Sequence, residues 1–262
     1  MNILVCIKQV PSSEDVRFDE KGNMLRESCD SALNYSDDYA LESALNLKVE
    51  NPDTKIIVLT MGPPRAEEAL RYCLARGADE AFLLTDPMLK GADTLITARA
   101  LSAAAKKISQ KTGNIDLFLC GAKSSDGETG HVPSQLAELT GLPDLVFIDT
   151  VKKQTTEQIT ATSVKDGTKR TFAVKLPCVI SLQPSREITI KLPSIAGKMR
   201  AKRINVEILT AEDIGIDTAI TAEKASPTWV GKYYENKWQT KAKGTKFIKP
   251  VEIANILKKG IR

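Results

Sequence analysis

Two rhythms of apolar residues alternate along the first 140 positions. Short continuous runs at 2–9 (NILVCIKQ), 55–61 (KIIVLTM), 80–86 (EAFLLTD) and 115–120 (IDLFLC) predict buried strands. Between them the apolar positions fall at helical spacing. Ala40, Leu41, Ala44, Leu45 and Leu47 define a helix through Asn46, with Ser36 as its expected cap and Asp37 and Asp38 at its positive end. Gly62-Pro63-Pro64 turns the chain into a second helix that stops at Gly77. Asp93 caps a third, Ala-rich helix to Lys111, and a fourth follows a polar loop and ends at Thr140. A hairpin is expected over 15–28, around Glu20-Lys21-Gly22-Asn23. Continuous apolar strands alternating with amphipathic helices predict an α/β fold with a doubly wound, mostly parallel sheet, covered on both faces.

The rhythm changes after residue 144. Residues 145–151, 158–165, 170–175 and 177–182 read as strands, with Asp166-Gly167 as a hairpin turn, and predict an antiparallel extension of the sheet. Residues 183–203 form a polar loop with prolines at 184 and 193. Residues 204–250 show little pattern yet contain Trp229, Tyr233, Tyr234, Trp238 and Phe247. Large aromatics on a lone irregular arm would be exposed to water; flanked by lysines, they are what a protein interface uses. VEIANILKKGI at 251–261 predicts a terminal helix. The expected division is a ligand-binding α/β domain over 1–203, with 183–203 facing a partner, and an arm and helix over 204–262.

Composition narrows the chemistry. The 262 residues are 42% hydrophobic and 27% charged, as in a folded globular chain. No run of about 18 uncharged apolar residues is present, so no membrane span is expected. The first apolar run lacks a basic flank and reads as a strand rather than a signal peptide, which points to the cytoplasm. One histidine, His131, excludes a multi-histidine metal site, and it reads as a packing or solvent residue rather than a catalytic acid. The five cysteines form no CxxC pair. Cys6, Cys120 and Cys178 sit in strand-like runs and read as buried small hydrophobes. The net charge of +4 is uneven: residues 195–262 hold 14 Lys and Arg against 7 Asp and Glu. With no nucleic-acid module around it, this basic stretch reads as a solvated face or a protein-binding arm. No carboxylate pair, nucleophile–base pair or metal cluster stands out. That argues against hydrolysis and for a binding or electron-carrying role in which a cofactor supplies the reactivity.

In a doubly wound sheet, ligands bind beyond the carboxyl ends of the strands. That edge holds Cys6 to Gln9, Met61-Gly62 and the segment Gly121-Ala122-Lys123-Ser124-Ser125-Asp126-Gly127-Glu128-Thr129-Gly130. The last follows a strand and opens a helix, where free backbone amides attract phosphate. It is neither a Walker loop nor GxGxxG, so a nucleotide-binding loop and a plain strand-to-helix loop both fit. Asp93-Thr94-x-x-Thr97 is a second polar cluster at a helix start. Capping accounts for Asp93 but not for Thr94 and Thr97 together with Arg99.

Taken together, these segments resemble the β subunits of electron transfer flavoproteins over nearly the whole chain. The likeness is carried by Ile3-Leu4-Val5-Cys6-Ile7-Lys8-Gln9-Val10-Pro11, Ala40-Leu41-Glu42-x-Ala44 as the family's Ala-Leu-Glu helix, Met61-Gly62-Pro63, Arg76-Gly77-Ala78-Asp79, Leu83-Leu84-Thr85-Asp86, Asp126-Gly127-x-Thr129, Leu176-Pro177 and Ser194-Ile195-x-Gly197-Lys198-Met199-x-Ala201-Lys202-Arg203. Two departures stand out: Asn34-Tyr35-Ser36-Asp37 replaces the family's Asn-Pro-x-Asp, and Gln183-Pro184-Ser185-Arg186 replaces its Asn-Glu-Pro-Arg. One branch of the family holds AMP in this subunit as a structural ligand; the other holds a second FAD that splits electron pairs. Lys8-Gln9-Val10-Pro11 and Gly91-Ala92-Asp93-Thr94-Leu95-Ile96-Thr97 resemble the splitting branch. The resemblance implies adenosine and phosphates along Cys6, Asn34, Tyr35, Ser36, Asp37, Met61, Gly121, Lys123, Ser124, Ser125, Asp126, Gly127, Glu128, Thr129, Gly130, His131 and Val132. It implies the flavin end near Lys8, Asp93, Thr94 and Thr97. It further implies hydride exchange with NADH, a heterodimer with an α subunit carrying another FAD, and onward transfer to an acyl-CoA or hydroxy-acid dehydrogenase and to ferredoxin. AMP in the same pocket remains the alternative.

Overall fold

A computed structural model describes residues 1–12, 31–153, 155–217 and 221–229. The hairpin expected over 15–28, Cys29, the arm from residue 230 and the helix expected at 251–261 lie outside the described residues.

The central sheet has seven strands, all parallel: β1 (Asn2–Cys6), β4 (Lys55–Met61), β5 (Glu80–Leu84), β6 (Leu117–Gly121), β7 (Asp144–Ile148), β11 (Cys178–Leu182) and β12 (Val206–Leu209). Their order across the sheet is β12-β5-β4-β1-β6-β11-β7. Successive residues of β1 bury opposite faces, as the strand period requires. Ile3 and Val5 join α1 (Tyr35–Glu50) and α2 (Glu67–Arg76); Leu4 and Cys6 join α3 (Thr94–Thr112) and α4 (Val132–Thr140). Ile3, Leu4, Leu41, Ile57 and Leu59 are fully buried. Burial of such a side chain contributes about 1.5–3 kcal/mol. Gly77 ends α2 with a positive φ of 135°, as expected from its place after the last apolar turn.

Three segments depart from the sequence expectation. First, the strands after residue 144 do not extend the main sheet in antiparallel fashion. β7 and β11 are parallel members of it, and the chain between them forms a separate antiparallel sheet of β8 (Thr150–Lys153), β9 (Gln158–Lys165) and β10 (Thr168–Lys175). Parallel neighbours need a long crossover connection, and here a meander with the Asp166-Gly167 turn fills the role a helix plays elsewhere in the fold. Second, the region expected as a polar loop over 183–203 ends in α5 (Ile195–Arg203), capped by the Ser194 side chain, which accepts from Gly197 N. Third, the boundary expected at 203/204 falls inside the folded unit. β12 pairs in parallel with β5, Ala211 and Ala222 are buried, and α6 (Ala222–Ala225) follows. The stretch VEIL is too short for periodicity to mark it as a strand, and the open edge of β5 supplies its pairing. A short antiparallel pair, β2 (Gln9–Pro11) with β3 (Ser31–Leu33), lies just after β1. Among the described residues no helix is long and apolar enough to cross a membrane.

Candidate functional site

The strand order places a crevice. From β1 the chain moves to β4 and then β5 on one side; it then crosses to β6 on the other side of β1. β1 and β6 therefore flank the point where the winding reverses, where doubly wound sheets take their ligands. These loops are Ile7–Lys8 and residues 122–131.

The amino end of α1 ties them together. The N-cap position of α1 belongs to Asn34, not Ser36, and its side chain makes no cap hydrogen bond. Instead Asn34 N donates to Lys8 O (2.9 Å), Asn34 Nδ2 donates to Lys123 O (2.8 Å), and Asn34 Oδ1 accepts from Ser125 N (3.1 Å). Asp37, three residues on, is buried. Its Oδ2 accepts from Lys8 N at 2.7 Å and its Oδ1 from Gly121 N at 3.1 Å, so one carboxylate joins the ends of β1 and β6. Gly121 has to be glycine here, because a Cβ would lie 2.1 Å from Asp37 Oδ1. Lys8 Nζ crosses to Asp126 Oδ1 (2.6 Å) and lies 3.4 Å from Ser124 Oγ.

Burial pushes the Asp37 carboxyl up to about 7, against the hydrogen bonds from Asn34, Lys8 and Gly121 that pull it down. In the unfolded chain the same group titrates near the ordinary value of about 4. Between these values the folded state holds the proton more tightly. The contribution of Asp37 to stability is therefore fully present below about pH 4 and is lost as pH rises through about 7. Asp37→Asn should flatten this slope in urea unfolding measured across that range. It should also cost about 1–3 kcal/mol at acidic pH, because the new amide nitrogen opposes one of the two backbone N–H groups. An unchanged slope would contradict this account.

The loop itself turns at Ser124, whose carbonyl accepts from Gly127 N (3.3 Å) and Glu128 N (2.8 Å). Glu128 and Gly130 then take positive φ values of 51° and 67°. α4 starts at Val132, and His131 at its N-cap position gives no side-chain cap. Lys123, Ser125, Gly127, Glu128, Thr129 and His131 are exposed. The first turn of α4 thus offers uncapped backbone amides beside exposed donors, an arrangement that attracts an anion.

The other expected residues fall around this centre. Met61 ends β4, next to β1 on the β5 side. Tyr35 is exposed, and its hydroxyl meets that of Tyr39 at 2.9 Å. Cys6 and Cys120 are register partners across β1 and β6, both buried in the sheet below, and Cys73 and Cys178 are buried as well. Asp93 caps α3 as expected: its Oδ1 accepts from Ile96 N at 3.0 Å. Its Oδ2 accepts from Thr228 N and Oγ1 (3.1 and 2.7 Å), and its own N–H donates to Ser226 Oγ (2.9 Å). Burial raises the Asp93 pKa, but these hydrogen bonds outweigh it and hold the carboxyl below its usual range. The Asp93 carboxylate is therefore committed to protein donors. Thr94 and Thr97 are half-buried. The structure thus brings Lys8, Asn34, Asp37, Gly121 and residues 123–128 into one bonded cluster, and it places the Asp93 turn on the same sheet edge, beyond β5.

The family resemblance marked Asn34, Asp37 and Lys8 as neighbours of the site, but the residue pattern missed what they do. Asp37 read as a helix-dipole acid; that it is buried between two strand ends depends on long-range packing. Lys8–Asp126 spans 118 residues and has no local signal.

The electron transfer flavoprotein domain model matches residues 22–214. Caffeyl-CoA reductase-Etf complex subunit CarD of Acetobacterium woodii is 41% identical over 231 residues, covering 88% of this chain and 86% of that protein. Electron transfer flavoprotein subunit beta of Thermoanaerobacterium thermosaccharolyticum is 40% identical over 233 residues, covering 88% and 86%. Protein FixA of Bradyrhizobium diazoefficiens is 36% identical over 238 residues, covering 89% and 82%. With the matching domain, the parallel sheet and these relatives together, the chain belongs to the electron transfer flavoprotein family, as a β subunit.

Proposed function

We propose that this chain holds FAD across the crevice between β1 and β6. With an α subunit carrying a second FAD, it would divide electron pairs from NADH in the cytoplasm. One electron goes by way of the α subunit to an acyl-CoA or hydroxy-acid dehydrogenase, and the other to ferredoxin. The observation that carries the reading is the uncapped start of α4 behind an exposed loop fixed in place by Asn34 and Lys8. A dinucleotide needs such a cradle for its phosphates.

The residues present fit the group. The amides of 129–132 and the Thr129 hydroxyl would hold the phosphates. Asn34 and Asp37 keep the loop and the two strand ends in place beneath them. Thr94 and Thr97 offer hydroxyls toward the ribityl and ring end, on a turn that Asp93 fixes through its bonds to Ile96 and Thr228. When bound, FAD supplies the capacity to take a hydride and to release electrons singly. No side chain is proposed as a nucleophile. The dehydrogenase meets the segment around Ile195, where Leu192, Ile195 and Met199 are exposed by 83%, 81% and 56%. The name of the Acetobacterium relative places that protein in a complex with a CoA-ester reductase, which supports this choice of partner.

Thr129→Val keeps the shape of the side chain and removes the donor. A hydrogen bond to a charged phosphate is worth about 1.5–3 kcal/mol, so the variant should bind cofactor about ten- to a hundredfold more weakly. Gel filtration followed by quantitation of retained nucleotide reads this directly. Retention equal to wild type would remove Thr129 from the site.

A further inference from the structure

The exposed apolar residues at 192–199 sit on a segment that is mounted at both ends. At its far end α5 lies on α2. Arg200 Nη2 donates to Leu74 O in α2 (2.8 Å) and to Ala78 O just beyond it (2.7 Å), and Arg71 Nη1 donates to Ala201 O (2.7 Å). Gly197 lies so close to α2 that a Cβ would be 2.1 Å from Ala75 O.

The near mount is a single buried carboxylate. Lys191 N donates to Glu42 Oε2 at 3.1 Å, across 149 residues of chain. Glu42, on α1, is 0% exposed, and the Arg76 side chain beside it is 1% exposed. Arg76 bonds Glu42 Oε2 and Asp38 Oδ1, and its guanidinium lies 5.6 Å from the centre of the Tyr72 ring. Burial lowers the Arg76 pKa only to about 10, so it stays cationic at neutral pH. Glu42 Oε1 has no hydrogen bond, with Lys191 Nζ 3.7 Å away. A buried ion pair stabilises a fold little better than an apolar pair of the same volume, and often less well. What this pair adds is an acceptor, fixed in place, for one backbone amide of the segment next to Leu192.

We infer that Glu42, locked by Arg76, is a positioning residue for the dehydrogenase: it pins the backbone at Lys191 so that Leu192 and Ile195 meet the partner in one arrangement. This rests on the docking reading above. Preorganising a segment in its bound form reduces the ordering cost of association, so losing the pin weakens docking without touching cofactor chemistry.

The test uses the complete heterodimer with its cofactors and the double variant Glu42→Leu/Arg76→Met. This variant replaces the pair by apolar side chains of similar volume and should keep the fold. Hydrogen exchange at the Lys191 amide should speed up about tenfold or more, as for loss of a hydrogen bond to a charged acceptor. With a purified acyl-CoA dehydrogenase titrated at saturating NADH, the KM for the dehydrogenase should rise about tenfold. The kcat and NADH-dependent reduction of a diffusible dye should stay unchanged. Wild-type exchange at Lys191, or an unchanged KM while Ile195→Glu raises it, would overturn the positioning role. An unchanged KM in Ile195→Glu itself would overturn the docking reading, and the inference with it. If the double variant does not fold, Glu42→Gln, which keeps an acceptor oxygen, is measured for the same exchange. It should give an intermediate rate, and a wild-type rate would count against the pin.

Discussion

Gly121→Ala should empty the nucleotide site and cost about 2.5–6 kcal/mol of stability. The new Cβ would stand 2.1 Å from Asp37 Oδ1 and 2.8 Å from both Asp37 N and Ser36 C. Two of these three atoms are backbone, so no side-chain rotation relieves the overlap. The end of β6 must move away from α1, which breaks the Gly121 N–Asp37 Oδ1 bond and shifts the loop that starts at Ala122. Overpacking of this kind costs about 1–3 kcal/mol, and the lost bond to a carboxylate adds about 1.5–3. Gly141→Ala is the matched control. It also has a positive φ, 68°, but a Cβ there meets nothing within 4 Å. It should cost only the left-handed strain, about 1–2 kcal/mol, and leave cofactor content alone. Urea unfolding and nucleotide content of the purified heterodimer read both effects. A Gly121→Ala protein with the wild-type midpoint and full nucleotide content would show that α1 and β6 are not coupled in this way.

Deleting residues 231–262 should leave a folded nucleotide-binding unit that no longer assembles with an α subunit. The truncation point follows from the structure. The compact unit runs from Met1 to Val230, and residues as late as Ser226 and Thr228 hold the Asp93 turn. A deletion from residue 226 would remove those bonds and confuse loss of assembly with damage to the site. The deleted part carries Tyr233, Tyr234, Trp238 and Phe247 among lysines. Buried aromatic anchors at an interface are worth about 2–4 kcal/mol each, so losing several should weaken the heterodimer more than a thousandfold. Trp229, left behind, is 85% exposed. Co-purification at wild-type strength would contradict the assignment of the arm.

The residues differ in how openly they declared their place. Continuous runs such as KIIVLTM and IDLFLC are long enough, and apolar enough, that only a buried parallel strand satisfies them, and the helices between them follow from spacing and from Gly77 and Asp93. The segment at 121–130 was legible as a loop between a strand and a helix, but the same glycines and polar residues suit a plain loop as well as a phosphate cradle. The partnership of β7 with β11 was not legible, since hydrophobic pattern does not distinguish a parallel from an antiparallel neighbour when a hairpin intervenes. Nor were the buried charges. Asp37, Glu42 and Arg76 look like ordinary surface residues of amphipathic helices, and only the packing of α1 against β6, α2 and the 188–194 segment takes them out of water.

The central claim, a second FAD held by this chain, is tested most directly by the cofactor content of the purified heterodimer. Acid release followed by chromatographic quantitation of flavin and adenine nucleotides should give two FAD per heterodimer and no AMP. One FAD with one AMP per heterodimer would contradict the account and make this chain a structural AMP-binding subunit.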